Sequence, residues 1–385
     1  MPEPRPKRRL RPGLLLALCL GWLLLLEIGA SVWLGSGFER GRREGNAWGI
    51  VGQRNGELGW VNRPGARGAV FSPVFRYRIE INRHGFRDRE REVAKAPGTK
   101  RVLVLGDSVA WGWGVNNGER FSDRLEERLP GCEVLNMAVP GYGTDQSLWN
   151  LQQRGWEWHP DLVLYTAISN DVLESTQDHS YDMAKPCFRQ VDGAWTIFRP
   201  EDLGHAEPMP GVRAAATDFL QRNLALAALF RPARPAIDAS VQPENVSYTG
   251  TDESYRALIE QILNRLADPQ EPSHHALVEM ARECREHGVP FVAVAVPFEH
   301  DQHLYEPRFP APPHDPGRQG PSMLSVALAK VGQAEGFPVW NVDRAMGAQA
   351  AAGVRLHCGD GHPNAEGHRV IADQLAPALA KRLAP

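Results

Sequence analysis

The sequence predicts an α/β protein: a doubly wound, five-stranded parallel sheet flanked by helices, with an N-terminal transmembrane helix ahead of it. Three observations carry this expectation. Five short apolar runs between residues 101 and 342 alternate with helical patterns. Those runs lack a polar alternation, which is how strands buried on both faces read. A basic N-terminus leads directly into a long apolar stretch.

The N-terminal element comes first. Arg5, Lys7, Arg8, Arg9 and Arg11 precede an apolar run over 14–34 that is interrupted by Glu27 and a few small residues. At about 1.5 Å per residue this run is roughly 32 Å long, enough for the hydrocarbon core. The positive flank favours an N-inside orientation, weakened by Arg40, Arg42 and Arg43 behind it. A cleavable signal peptide would end its apolar run near Leu26, with Gly29, Ala30 and Ser31 before the cut. Val32, Trp33 and Leu34 extend the run and favour a retained anchor. Both readings place the body of the protein outside the cytoplasmic membrane, and the anchor reading makes it a single-pass inner-membrane protein facing the periplasm. Glu27 is assigned no role.

The organisation that follows is a cytoplasmic tip and anchor over 1–37, a membrane-proximal segment of short strands and turns over 38–100, and a main domain over 101–385. The 38–100 segment is rich in Gly, Arg, Asn and Pro, with a strand-like piece at 75–81. In the main domain the strands are expected at 101–105 (RVLVL), 133–139, 161–168, 289–296 and 337–342. Helical spacing covers 121–129, 145–156, 276–287, 323–335 and 365–383. The interval 172–272 is too long for an unstructured loop and reads as an insertion over the active edge, with helices at 214–230 and 253–266. Such a sheet gathers its functional loops at the C-terminal ends of the strands.

Composition narrows the function. Hydrophobic residues make up 42% and charged residues 23% of 385, which suits a globular core. A net charge of −3, with no Lys/Arg block beyond the N-terminus, argues against nucleic acid. Cys19, Cys132, Cys187, Cys284 and Cys358 lack CxxC spacing and indicate neither zinc nor a redox motif. They read as buried thiols or as unassignable disulfides.

Four polar groups stand at predicted strand ends. Gly106-Asp107-Ser108 follows the first strand and offers a hydroxyl that needs a neighbouring base to act as a nucleophile. Asn136 to Gly143 (NMAVPGYG) follows the second, where Gly141, lacking a Cβ, lets its N–H approach a ligand. Asn170-Asp171 follows the third, with an amide able to donate to an oxyanion. Asp360-Gly361-His362-Pro363-Asn364 precedes the last helix, and two-residue spacing in an extended segment lets Asp360 hold the His362 ring toward Ser108. Each group alone reads as a plain turn. Their joint placement supplies a hydroxyl, two donors and a His–acid pair.

Together these residues resemble the four blocks of the SGNH/GDSL hydrolase superfamily, over 101–385 without the insertion. The stretch from Leu58-Gly59-Trp60 to Asn82-Arg83-His84-Gly85-Phe86-Arg87-Asp88 resembles the lead-in of bacterial members with an N-terminal membrane span. The resemblance implies a flavodoxin-like hydrolase fold and no cofactor. It implies Ser108 as nucleophile and His362 as base, with Ser108, Gly141 and Asn170 forming the oxyanion hole. Two positions depart from the pattern. Ile168 stands where a glycine usually precedes the asparagine, and Asp360 and His362 are separated by one residue rather than two. A backbone carbonyl is the alternative partner for the ring.

The expected activity is ester hydrolysis on an ester-bearing small molecule, glycan or lipid of the cell envelope. An O-acyltransferase acting on surface polysaccharide shares the same chemistry, and a catalytically silent scaffold is the reading from another class. Glu299, His300, Asp301 and His303 look like metal ligands but read as a polar loop, since the serine mechanism needs no metal. Trp111 and Trp113 read equally as a substrate platform or as packing. Asn245-Val246-Ser247 matches a glycosylation sequon.

Overall fold

The structure, a computed structural model, describes residues 12–34, 50–71, 75–181, 183–205, 252–298 and 322–384. The expected helix at 214–230, the sequon at 245–247 and the polar loop from Glu299 to His303 lie outside these residues.

Helix α1 (Pro12–Leu34) forms where the apolar run predicts it, and Leu16, Leu20 and Leu23 to Leu26 are exposed along it. Its side chains are described only at 13, 16 and 18–30. Among the described residues, no helix is long and apolar enough to cross a membrane.

Two antiparallel hairpins follow, β1 (Gly52–Asn55) with β2 (Gly59–Asn62) and β3 (Arg67–Phe71) with β4 (Arg76–Glu80). Along β4 the side chains alternate, with Tyr77 and Ile79 pointing inward, the pattern of a half-buried strand.

The central sheet begins with β5 (Lys100–Leu105), β6 (Cys132–Asn136) and β7 (Leu162–Ala167). Two small hairpins intervene: β8 (His179–Ser180) with β9 (Met183–Ala184), and β10 (Cys187–Val191) with β11 (Ala194–Phe198). The sheet is completed by β12 (Phe291–Ala295) and β13 (Val339–Asn341). All five sheet strands pair in parallel, in the order β13-β12-β7-β5-β6. Chain order reverses between β5 and β7, and an open α/β sheet forms its ligand crevice at such a switch.

The helices are α2 (Ser108–Trp111), α3 (Phe121–Arg128), α4 (Thr144–Asn150), α5 (Ser169–Glu174), α6 (Asp252–Ala267), α7 (Pro272–Glu286), α8 (Met323–Glu335), α9 (Asp343–Ala351) and α10 (Ala365–Leu383). They cover both faces of the sheet. Val102, Val104, Leu162, Leu164 and Val292 pack with Phe121 and Leu125 of α3 and with Ile371 and Leu375 of α10. The alternate residues Leu103, Leu105, Val163 and Ala293 face the opposite layer, with Leu148, Leu277 and Leu324. Each fully buried large apolar side chain contributes about 1.5–3 kcal/mol.

Several expectations are corrected. The second strand ends at Asn136 rather than 139, because Asn136 turns inward and its side chain donates to Ala110 O and Ser122 Oγ. The helix expected over 145–156 is α-helical only to Asn150, then widens to a π turn (Leu151–Gly155) and tightens to a 3₁₀ turn (Trp156–Trp158). Gly155 lies where a Cβ would meet Leu151 Cδ1 at 2.6 Å. The 172–272 interval contains four short strands of two to five residues, mixed in polarity and burial, that no regular apolar alternation announces. Its end, α6, belongs to the helical layer, since Ile262 and Leu266 sit in the core beside Leu324 and Leu328. All five cysteines are free thiols, of which Cys187, Cys284 and Cys358 are buried.

Candidate active site

The nucleophile turn is built by backbone constraints. Gly106 has a φ of +142°, and a Cβ there would meet Thr166 O at 2.9 Å. Asp107 caps α2, its Oδ1 accepting from Val109 N at 3.0 Å. This places Ser108 at the first helical position, half-buried at the C-terminal edge of β5. The turn is braced from below by Arg87, whose buried guanidinium donates to the carbonyls of Trp111, Gly112 and Val115.

Ser108 Oγ lies 2.9 Å from His362 Nε2. The two residues are 254 positions apart in sequence and meet at the same edge of the sheet. The His362 loop is fixed by a 2.7 Å bond from Cys358 N to His362 O and by Asn364, which caps α10 by accepting from Glu366 N and Gly367 N. Phe298 meets the imidazole edge-on, with ring centroids 5.1 Å apart, and Trp113 flanks it at 5.8 Å.

Asp360 reaches the ring despite the shortened spacing. Its Oδ2 lies 3.3 Å from His362 Nδ1, close enough for charge pairing but without the alignment of a hydrogen bond. The same oxygen accepts from Trp113 Nε1 at 3.1 Å, and Oδ1 accepts from His362 N at 3.3 Å. Burial pushes this carboxyl upward, but the His362 contacts and the Trp113 bond outweigh it and hold its pKa below the usual range. Trp113 therefore belongs to the site. Trp111 is fully buried, with the Arg87 guanidinium 4.3 Å over its ring, and is packing.

Asp107 is a functional neighbour whose part the tripeptide motif alone does not reveal. Its Oδ2 is 3.0 Å from Ser108 Oγ, so the hydroxyl faces two acceptors. Burial drives the Asp107 pKa up, against the opposing pull of His362 and the bonds from Val109 and Ser108.

Gly141 and Asn170 stand on separate elements, the first in the loop after β6 and the second in α5 after β7. Gly141 has a φ of +77°, and a Cβ there would come within 2.4 Å of Tyr181 Cε2. Glycine is required. Asn170 lies in α5 rather than in a turn, and its Nδ2 donates to Glu174 Oε1 at 3.1 Å. A carboxamide nitrogen carries two hydrogens, so one donor is left for a ligand. Tyr181 links the two positions: its ring covers Gly141 and its hydroxyl donates to Glu174 Oε1 at 3.2 Å. Ile168, in the place of the usual glycine, has extended backbone and donates its N–H to Asp171 Oδ2 at 3.1 Å.

Beneath these donors sits a buried polar network. Tyr165 Oη donates to Asp171 Oδ2 at 2.8 Å, and Lys185 Nζ pairs with Asp145 Oδ2 at 2.5 Å with neither group exposed. Burial, then the Asp107 and Glu174 charges, push Asp171 well above the usual carboxylate range. Burial and the Asp107 charge raise Glu174 to about 8. Tyr165, Asp145, Glu174 and Lys185 carry no local sequence signal.

Asp178, His179 and His205 form another cluster, with ligand atoms within 4.8 Å of one another. Both oxygens of Asp178 are already engaged, one by His179 Nδ1 at 2.9 Å and the other by Arg189 at 2.9 Å.

Comparison with known proteins bears on the family. The profile of the GDSL-like lipase/acylhydrolase family matches residues 104–370. Among curated proteins no sequence matches. Among solved structures the chain is similar to TesA, with 16% identity and a TM-score of 0.37 over 74% of this chain and 100% of that one. It is similar to the psychrotrophic esterase EstA from Pseudoalteromonas sp., with 12% identity and a TM-score of 0.36 over 74% and 98%. A catalytic mutant of Axe2, an acetylxylan esterase from Geobacillus stearothermophilus, shows 11% identity and a TM-score of 0.35 over 74% and 95%. The profile spans well over half of the sequence and contains Ser108, Gly141, Asn170, Asp360 and His362, and the chain belongs to the GDSL-like lipase/acylhydrolase family.

Proposed function

We propose that the protein is a membrane-tethered serine esterase or deacylase that cleaves an ester of the cell envelope through an acyl-enzyme on Ser108. The observation that carries the reading is the 2.9 Å contact between Ser108 Oγ and His362 Nε2, within the reach a general base needs. His362 takes the hydroxyl proton as Oγ attacks the ester carbonyl. Asp360, beside Nδ1, stabilises the imidazolium that forms. The N–H groups of Ser108 and Gly141 and the Asn170 amide receive the oxyanion, where one lost donor typically costs about 10²–10³ in rate. The imidazolium then protonates the leaving alcohol, and water resolves the acyl-enzyme by the reverse proton path.

The tether rests on the basic residues before α1 and on the exposed leucines along that helix. An envelope location follows from it. Substrates of this kind are an O-acylated glycan or lipid, or a small ester.

The test is turnover of p-nitrophenyl acetate by the wild type and by Ser108→Ala, with fluorophosphonate labelling alongside. Loss of both turnover and label in the variant is expected. Turnover that survives the substitution overturns the reading.

A further inference from the structure

The oxyanion donor at Gly141 is one end of a peptide unit whose other end is held from an unexpected place. Trp60 lies in β2, far from the catalytic loops in sequence, and is fully buried. Its indole Nε1 donates to Pro140 O at 3.0 Å. Pro140 O and the Gly141 N–H belong to the same planar peptide, and the described chain has no cis bond. In a trans peptide the carbonyl and the N–H point in opposite directions. A bond that draws the carbonyl toward the buried indole therefore turns the N–H away from the interior. That N–H has no acceptor among the described residues.

The surroundings prevent the peptide from slipping. Leu58, Trp60, Val61, Val139, Tyr142 and Met183 form a small separate core under the loop. Tyr142 Oη donates to Trp60 O at 2.5 Å, which fixes the strand that carries the indole. Trp60 Cζ2 and the Tyr181 ring close on Gly141 from the positions a Cβ would occupy. Donation to the carbonyl also polarises the amide and strengthens its N–H as a donor.

We infer that Trp60 is a positioning residue of the oxyanion hole, acting through the Pro140–Gly141 peptide, so that the segment ahead of the hydrolase sheet supplies part of the catalytic apparatus. The inference rests on the serine esterase reading and deepens it. Trp60 touches no substrate. Its effect falls on the step where negative charge appears on the carbonyl oxygen, and ground-state binding is untouched.

The experiment is Trp60→Phe in the full chain, assayed with p-nitrophenyl acetate and with a boronic acid that mimics the tetrahedral adduct. Phenylalanine keeps an aromatic ring and removes the donor. The expected result is a kcat lower by roughly 10- to 100-fold, short of the 10²–10³ for outright loss of a donor, with KM within about twofold of wild type. Boronate affinity should fall in proportion to kcat. If Trp60→Phe fails to fold, 3-benzothienylalanine at position 60 replaces the indole with an isostere lacking the N–H. A lowered Tm with unchanged kcat and boronate affinity in the folded variant overturns the proposal and marks Trp60 as packing. Ser108→Ala separates the two claims: a dead Ser108→Ala beside a fully active Trp60→Phe sinks this inference alone, whereas an active Ser108→Ala sinks the esterase reading itself.

Discussion

Replacing Asp360 with Asn tests how much the acid contributes at its shortened spacing. Asp360 Oδ2 and His362 Nδ1 are 3.3 Å apart. For unit charges at that distance, an effective dielectric of about 20 gives an attraction of about 5 kcal/mol once the imidazole is protonated. The Asp360 side chain is 30% exposed, and the pair lacks hydrogen-bond alignment. Solvent screening of that kind leaves roughly half, about 2–3 kcal/mol. Because the imidazolium forms on the way to the transition state, the loss appears in kcat, as about 10²-fold. That is smaller than the roughly 10⁴-fold fall known where a buried, well-aligned aspartate is neutralised in a triad. The assay is kcat for p-nitrophenyl acetate at constant pH, with circular dichroism to confirm folding. A change below threefold would show that the ring is oriented without Asp360, and a loss beyond 10⁴-fold would show that the loose geometry tightens into a full triad.

Two further outcomes are expected. His368 is buried, its Nδ1 accepts from Phe121 N at 3.1 Å, and burial together with the Arg87 and Arg120 charges lowers its pKa to about 3. The unfolded chain takes up a proton at this residue near pH 6.5 and the folded chain does not. Stability from this source is therefore present above pH 6.5 and lost as pH falls toward 3, by about 2 kcal/mol at pH 5. Glu174, raised to about 8, acts in the opposite sense between pH 8 and 4.5, so the comparison is between proteins. Urea denaturation at pH 7 and pH 5 should show His368→Gln gaining about 2 kcal/mol relative to wild type on acidification, and parallel pH dependences would refute it. Lys185→Met leaves Asp145 buried without its cation and should destabilise by about 3–5 kcal/mol; recovery of most of that loss in Lys185→Met/Asp145→Leu is the accompanying check, by thermal denaturation.

The sheet was legible because burial on both faces removes polar residues from its strands. Val102 to Leu105, Leu162 to Ala167 and Phe291 to Ala295 are covered on both faces, and each reads as a continuous apolar run. Ser108 and His362 were legible because strand ends in this topology collect chemistry. Asp360 was legible as a residue, although its looseness was not, since a 3.3 Å contact without alignment has no counterpart in spacing. The hairpins from His179 to Phe198 escaped notice because their strands are only two to five residues long and mix buried with exposed positions, which leaves no sustained apolar period. The Tyr165–Asp171 and Lys185–Asp145 contacts escaped for a different reason. Each joins side chains whose pairing depends on how separate elements meet, and no local pattern encodes that. Asn170, expected as an oxyanion donor after the third strand, stands in a helix, because Asp171 accepts from Ile168 N and the chain turns helical there.

Arg87 ties the lead-in segment to the nucleophile turn. Its guanidinium reaches from the stretch before β5 to the carbonyls that end the nucleophile helix, and Tyr77 and Ile79 of β4 lie in the same core as Val102 and Val104. A recombinant fragment cut at residue 101 would keep every sequence block by which the family is recognised and still lack its own floor. Shortened versions made for expression or crystallisation should begin before Ile50, since Ile50 and Val51 already pack in that core, and fusion partners or inhibitors designed against the excised sheet would be aimed at a surface the intact protein never shows.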